Sequence, residues 1–244
     1  MDGLRARAGL QPTSNHPFFE GMFSPYGTLG LFPSAFAAPQ RDWPANTRLT
    51  GFPFSAEVDD HPLPPELEKF PGKGEPPVVF TLGSNVVREA GSFYAESLKA
   101  VRRVGCRAVL LVGDDARNQV AGPIPDSVFC CAFAPYMRLF PRAAAVVHQG
   151  GIGTTGHAML AGIPMVIVPH VHDQPDNAHR AAKLGVARVQ SRRGNDGERA
   201  AGHVEALLTQ TDYKRKAESL RDLLRNENGV DRACDAVEEV LSHG

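Results

Sequence analysis

HQGGIGTTGHAMLAGIPMVIVPHVHDQPDN, residues 148–177, decides the fold. The apolar run 143–147 leads into His148 and reads as a strand. Gly150, Gly151 and Gly153 follow, and without Cβ atoms the backbone there can turn tightly. Thr154 and Thr155 open a short helix that runs to about residue 160, and Gly162 and Pro164 end it. The start of that helix aims free amide N–H groups and a positive dipole end at whatever lies above the loop. This is an anion seat, and phosphate is its usual occupant. The next apolar run, 165–168, is a buried strand that delivers Asp173 and Gln174 to the same sheet edge. Ligands of open α/β sheets bind along that edge.

Outward from this stretch the pattern is regular. Apolar runs predict strands at 78–82, 108–112, 128–133, 144–148, 165–168 and 187–189. Their continuity is that of strands covered on both faces. Phe93, Leu98, Val101 and Val104 recur at helical spacing and predict a helix over about 90–104. Further helices are expected near 137–140 and 177–184, with three more closing the chain at about 198–208, 212–226 and 230–241. Strands alternating with helices predict an α/β fold with a Rossmann-like doubly wound parallel sheet. Val230, Ala233, Cys234, Val237 and Leu241 share one face of the last helix, which is expected to pack on that sheet.

The N-terminal third is different. Residues 1–54 are rich in Phe, Pro and Gly, with strand candidates at 28–32 and 48–51. Such a segment cannot enclose a core of its own. Its aromatics predict packing against a larger body, exposed apolar surface and self-association. Pro62, Pro64, Pro65 and Pro71 stiffen a linker over 55–75, with one helical turn at 66–70. The organisation expected is therefore 1–54, a linker 55–75, and a ligand-binding domain 76–244.

A net charge of -1 gives no electrostatic case for nucleic acid or an anionic membrane surface. No apolar run is long enough for an integral membrane segment, and the first twelve residues do not read as a signal peptide. Cys106, Cys130, Cys131 and Cys234 lack metal-site spacing and read as reduced, buried thiols of a cytoplasmic protein. Residues 151–156 match the dinucleotide fingerprint GxGxxG, with Asp173 about twenty residues on. That fingerprint belongs after the first strand of its fold, whereas three strand units precede it here.

The larger constellation is more specific. A His enters the glycine turn, a helix and a Pro-bounded strand follow, and DQxxN closes the unit. This resembles the nucleotide-sugar half of family 1 glycosyltransferases, of the GT-B fold, and within them the microbial branch that glucosylates sterols, lipids and macrolide-like or flavonoid acceptors. The resemblance rests on FTLGS (80–84), RAVLLVG (107–113), FAPY (133–136), HQGGIGTT (148–155), PHVHDQPDNAHR (169–180) and PQRDWPANTRLTGFPF (39–54). It covers nearly the whole chain. It implies a C-terminal donor-binding domain preceded by a remnant of an acceptor domain, since the family is a two-domain enzyme of nearly twice this length. The catalytic base, usually a His near the start of the acceptor domain, has no match here.

The resemblance implies a UDP-sugar donor, with UDP-glucose expected, and inverting hexosyl transfer to a lipophilic small-molecule acceptor. His148 would donate to a donor phosphate and assist the leaving nucleotide. Gly150, Gly151, Gly153, Thr154 and Thr155 would hold phosphate through N–H and hydroxyl groups, with Gly83 and Ser84 facing them across the crevice. Asp173 and Gln174 would bind the sugar hydroxyls, and Asp173 also fits a helix cap. Phe133 and Ala134 would hold the uracil. Many relatives place an acid near the end of the loop helix to bind the ribose; here Gly156 and His157 stand there, and His157 could donate to a ribose oxygen. His170, His172, Asp173 and His179 resemble a metal set in spacing alone, and the family needs neither metal nor cofactor. Three readings stand: a glycosyltransferase represented by its donor half, poorly active alone; a donor subunit that needs a separate acceptor-domain partner, as in two-polypeptide N-acetylglucosamine transferases; and a non-catalytic nucleotide-sugar binding module. Homo-oligomers are also expected.

Overall fold

The structure, a computed structural model, describes residues 2–14, 16, 22–54, 61–70, 74–194 and 196–243. Two compact units emerge: Met1–Pro53 with Asn228–Gly244, and Phe54–Glu227. Of the expected linker, 55–60 and 71–73 lie outside the described residues.

The first unit opens with α1 (Asp2–Arg7), followed by β1 (Thr28–Gly30) and β2 (Thr47–Leu49), which pair in parallel with Thr28 opposite Thr47. Phe32 sets its ring edge-on to Trp43 at 5.8 Å and to Phe36 at 6.4 Å. Edge-to-face packing of this kind suits the ring quadrupoles.

The second unit begins with α2 (Pro65–Lys69), the helical turn expected there. Its sheet contains β3 (Val78–Thr81), β4 (Ala108–Leu111), β5 (Val128–Cys131), β6 (Ala145–His148), β7 (Met165–Ile167) and β8 (Ala187–Val189). The order is β5-β4-β3-β6-β7-β8, and every pair is parallel. Every residue of β3, β4, β6 and β7 is buried, which is why these strands are apolar except for Thr81 and His148 at the carboxyl ends of β3 and β6. The chain therefore runs from β3 outward to β5, returns to place β6 beside β3, and proceeds to β8. The strand order reverses between β3 and β6, and the crevice beyond their carboxyl ends is where such sheets take ligands.

The helices of this unit are α3 (Gly83–Val86), α4 (Phe93–Val104), α5 (Tyr136–Leu139), α6 (Ile152–Ala161), α7 (Gln174–Lys183), α8 (Gly197–Thr209) and α9 (Thr211–Leu224). Gly105, at φ 71°, ends α4 in the left-handed conformation that glycine adopts without strain. Phe80, Leu82, Tyr94, Leu98, Leu110, Val147, Val204 and Leu207 pack into one buried cluster over the sheet. Several boundaries differ from expectation: α7 starts at Gln174 rather than 177, and β5 ends at Cys131 rather than 133. Residues 83–89 form one α turn and a 3-10 turn (Val87–Glu89) before α4 begins, and α6 starts at Ile152, ahead of the two threonines. Among the described residues no helix is long and apolar enough to cross a membrane.

The last helix, α10 (Gly229–His243), corrects the expectation that it packs on the sheet: it clusters with residues 1–53. It also buries a different stripe. Gly229 and Ala236 are buried, while Cys234, Val237 and Leu241 of the expected apolar face are exposed. A glycine starts the helix because its backbone lies against the Phe52 carbonyl, well inside the distance a Cβ would need. Arg48 adds an ion pair to Glu239 on the same helix. The cysteines are free, but Cys106, Cys130 and Cys131 are half-buried rather than fully buried.

Gly229→Ala is expected to lift the first turn of α10 off Phe52, at a cost of about 1–3 kcal/mol typical of overpacking. Limited proteolysis near residue 228 should accelerate, and an unchanged cleavage pattern would contradict this docking.

Candidate functional site

A crevice of about 850 Å³ opens at the reversal of strand order. Its walls include Thr81 at the end of β3 with Gly83 and Ser84 beyond it, Arg88 of the 3-10 turn, Gly113, Asp114 and Asp115 after β4, and Phe133 after β5. The floor and far wall are Gln149, Gly151, Ile152, Gly153, Thr154, His157, His172, Asp173 and Gln174. The crevice thus brings together Gly83, Ser84, Phe133, Gly151, Gly153, Thr154, Asp173 and Gln174. Ala134, His148, Gly150 and Thr155 stand behind its walls.

The glycine turn has specific causes. Gly150 lies at φ 90°, and a Cβ there would sit 2.7 Å from Ile167 Cγ2 and 3.2 Å from the Gln174 carbonyl. Gly151 is the N-cap of α6, and no side chain caps that end. The first amides of α6 therefore face the crevice with the dipole behind them. Thr155 Oγ1 donates to the Gly151 carbonyl at 3.0 Å, so its hydroxyl is already used, whereas Thr154 reaches the crevice.

His148 ends β6 with its ring fully buried. The Gly150 N–H donates to its Nδ1 at 3.0 Å, which leaves the ring proton on Nε2. That Nε2 is buried without a hydrogen-bond partner. Burial pushes the imidazole down to about 3, so near pH 7 it is neutral and offers a dipole rather than a charge.

The acidic loop is braced from within. Gln174 is buried, and its Oε1 accepts the backbone N–H of His170 at 2.8 Å and of Val171 at 3.0 Å. Asp173 does not cap α7 with its side chain; its carboxylate accepts from Asn177 Nδ2 at 2.6 Å. The same Nδ2 donates to the Gly150 carbonyl at 2.9 Å, tying the acidic loop to the glycine turn. His172 is the one non-glycine at positive φ among the described residues, at 57°. His170 turns its Nδ1 to the Val168 carbonyl at 2.6 Å, and no three His, Cys, Asp or Glu among the described residues are grouped to hold a metal ion. His157 commits its Nδ1–H to the Gly153 carbonyl at 2.8 Å and packs its ring at a tilt against Phe54, with centroids 4.0 Å apart, so that proton is not offered to a ribose oxygen.

Phe133 is 65% exposed, an aromatic platform open to the crevice rather than core. Ala134 beside it is fully buried. Four residues escaped the sequence reading. Arg88 supplies a cation outside the glycine loop, Gln149 lies on the floor, Asn177 is the tie described above, and Asp115 stands beside Arg88. The Asp115 carboxyl is held down to about 2, chiefly by hydrogen bonds from the Arg117 side chain and backbone. Of these, only the Asn of DQxxN carried a signal in the sequence.

Residues 95–232 match a family model described as erythromycin biosynthesis protein CIII-like, C-terminal domain. The chain is 35% identical, over 98% of its length and 56% of the relative's, to O-mycaminosyltylonolide 6-deoxyallosyltransferase of Streptomyces fradiae. It is 30% identical to sterol 3-beta-glucosyltransferase of Aspergillus oryzae, over 84% of this chain and 16% of that one. Among solved structures, glycosyltransferase VinC in complex with dTDP superposes with a TM-score of 0.73 at 26% identity, covering 89% of this chain and 53% of VinC. The chain thus spans about half the length of the first of these relatives and a smaller share of the second.

The buried imidazole predicts a pH dependence. Its folded value lies below the ordinary 6.5, so its contribution to stability is complete above about pH 6.5 and is lost as pH falls toward 3, where only the unfolded chain binds the proton. Between about pH 4 and 6, urea-unfolding free energy should fall more steeply in the parent than in His148→Asn. The difference approaches one proton, about 1.4 kcal/mol per pH unit. Equal slopes would place the ring in water.

Proposed function

The chain belongs to the erythromycin biosynthesis protein CIII-like C-terminal domain family, and from that premise we propose that it is the donor-binding half of a glycosyltransferase. The observation that carries this reading is the uncapped start of α6 facing Gly83 across the β3/β6 crevice. A diphosphate seats on the α6 amides and Thr154, the base stacks on Phe133, and the sugar extends toward Asp173 and Gln174. The donor is a pyrimidine nucleoside diphosphate sugar, with UDP-glucose as the first candidate. VinC, solved with dTDP, makes thymidine nucleotides the alternative.

In the inverting transfer we assign, an acceptor hydroxyl attacks the anomeric carbon from the face opposite the nucleotide. A base outside the residues assigned here takes the hydroxyl proton, and the glycosidic electron pair leaves with the diphosphate. The chain's own residues orient the donor and neutralise that departure. Amide dipoles act there without reorganisation, which is the strength of a preorganised site. The neutral His148 orders the turn through Gly150, and Arg88 supplies a positive charge on the crevice wall. No metal or cofactor is required in this scheme. The acceptor is a lipophilic hydroxyl compound, in keeping with the macrolide and sterol relatives.

A second reading has its own observation. The first unit exposes Met22, Phe23, Tyr26 and Leu31, together with Val237 and Leu241. Apolar surface of this extent favours a partner: an acceptor domain on another chain, or a second copy. Sedimentation should show self-association of the isolated protein, and a clean monomer would count against it.

Calorimetric titration should show UDP or dTDP binding with NAD inert; preference for NAD would overturn the site. Asp173→Ala should leave affinity for the nucleoside diphosphate nearly intact and remove most of the gain the sugar provides. Turnover by the purified chain should be poor and should rise when an acceptor domain is added. Robust transfer without one would remove the need for a partner.

A further inference from the structure

We propose that Gln149 clamps the donor diphosphate from the crevice floor, its side-chain amide donating to a phosphate oxygen; this rests on the reading of the crevice as a nucleotide-sugar site. Gln149 follows His148 at the tip of β6, where the strand order reverses. Its side chain is only 4% exposed, yet it lines the crevice. Its Oε1 is buried with no hydrogen-bond partner. No bond to the fold holds that oxygen, which as an acceptor cannot itself meet a phosphate; the donor this amide offers a ligand is Nε2.

The surroundings make room for this amide. A Cβ on Gly83 would lie 2.5 Å from Gln149 Nε2, and one on Gly151 would lie 2.8 Å from it. Gly83, at φ 60°, is also required by its backbone. Gly151 is not: its φ of -60° and ψ of 141° are open to any residue. What glycine provides at 151 is space for the Gln149 side chain. The amide nitrogen therefore stands between the two loops whose backbone N–H groups form the anion seat, with Thr154 Oγ1 at 3.5 Å from the Gly83 Cβ position. A neutral N–H donor there meets a diphosphate without adding a charge to bury.

Three measurements on the full chain test the clamp: the melting temperature without ligand, and calorimetric affinities for UDP and for uridine. Gln149→Met keeps length and volume and removes the amide. It should melt at the parent's temperature or higher, because an unsatisfied atom is gone. It should bind UDP at least about tenfold more weakly, the scale of a lost charge-assisted hydrogen bond, with uridine affinity unchanged. Gln149→Glu, nearly identical in shape, should lose more UDP affinity than Gln149→Met by turning a carboxylate on the phosphates. UDP affinity within twofold of the parent in Gln149→Met overturns the clamp, as does a lower melting temperature in both variants with uridine and UDP affected alike. A parent that binds neither UDP nor dTDP overturns the site reading itself, and the clamp with it.

Discussion

The open amide end of α6 is the constraint from which the arrangement of this protein follows. A helix start without a side-chain cap leaves backbone donors that need an acceptor, and here they face a crevice. The sheet supplies the rest. Because the strand order reverses between β3 and β6, no helix crosses the gap above their carboxyl ends, and the two loops face each other. Glycine at 150 lets the turn approach the Gln174 backbone, glycines at 83 and 151 leave room for the Gln149 side chain, and the acidic loop after β7 is drawn in by Asn177, which holds both Asp173 and the Gly150 carbonyl.

Electrostatically the seat is close to neutral. The imidazole at its base is uncharged and the glycine loop holds no Lys or Arg. The wider crevice carries Arg88 on one wall together with the carboxylates of Asp114 and Asp173, while Asp115 is paired with Arg117. A neutral seat built of dipoles attracts an anion less strongly than a cluster of cations would.

The fold was legible because its signal is local. Continuous apolar runs bounded by glycine and proline mark strands buried on both faces, and 78–82, 108–112 and 165–168 emerge as β3, β4 and β7 with small changes of boundary. The last helix was misplaced because periodicity defines an apolar face without saying what covers it. There the deciding contact, Gly229 against the Phe52 carbonyl, joins residues far apart in sequence. At the site, the sequence showed which loops converge and not which atoms. His148 and Thr155 are typical phosphate-binding residue types, but one ring is buried and the other hydroxyl is turned to Gly151. Gln149 and Arg88 gave no warning, since an amide at a strand end and a cation in a turn are ordinary on any surface.

His172 keeps a backbone conformation that costs a non-glycine residue roughly 1 kcal/mol or more. What holds it is the Gln174 side chain, whose single oxygen gathers the amides of His170 and Val171. One residue therefore fixes the curvature of the loop and also stands on the crevice wall. Wall chemistry and loop shape are in consequence not separable at this position. Any replacement at 174 that changes the crevice wall also releases the two amides that its oxygen gathers, and with them the bend beside it.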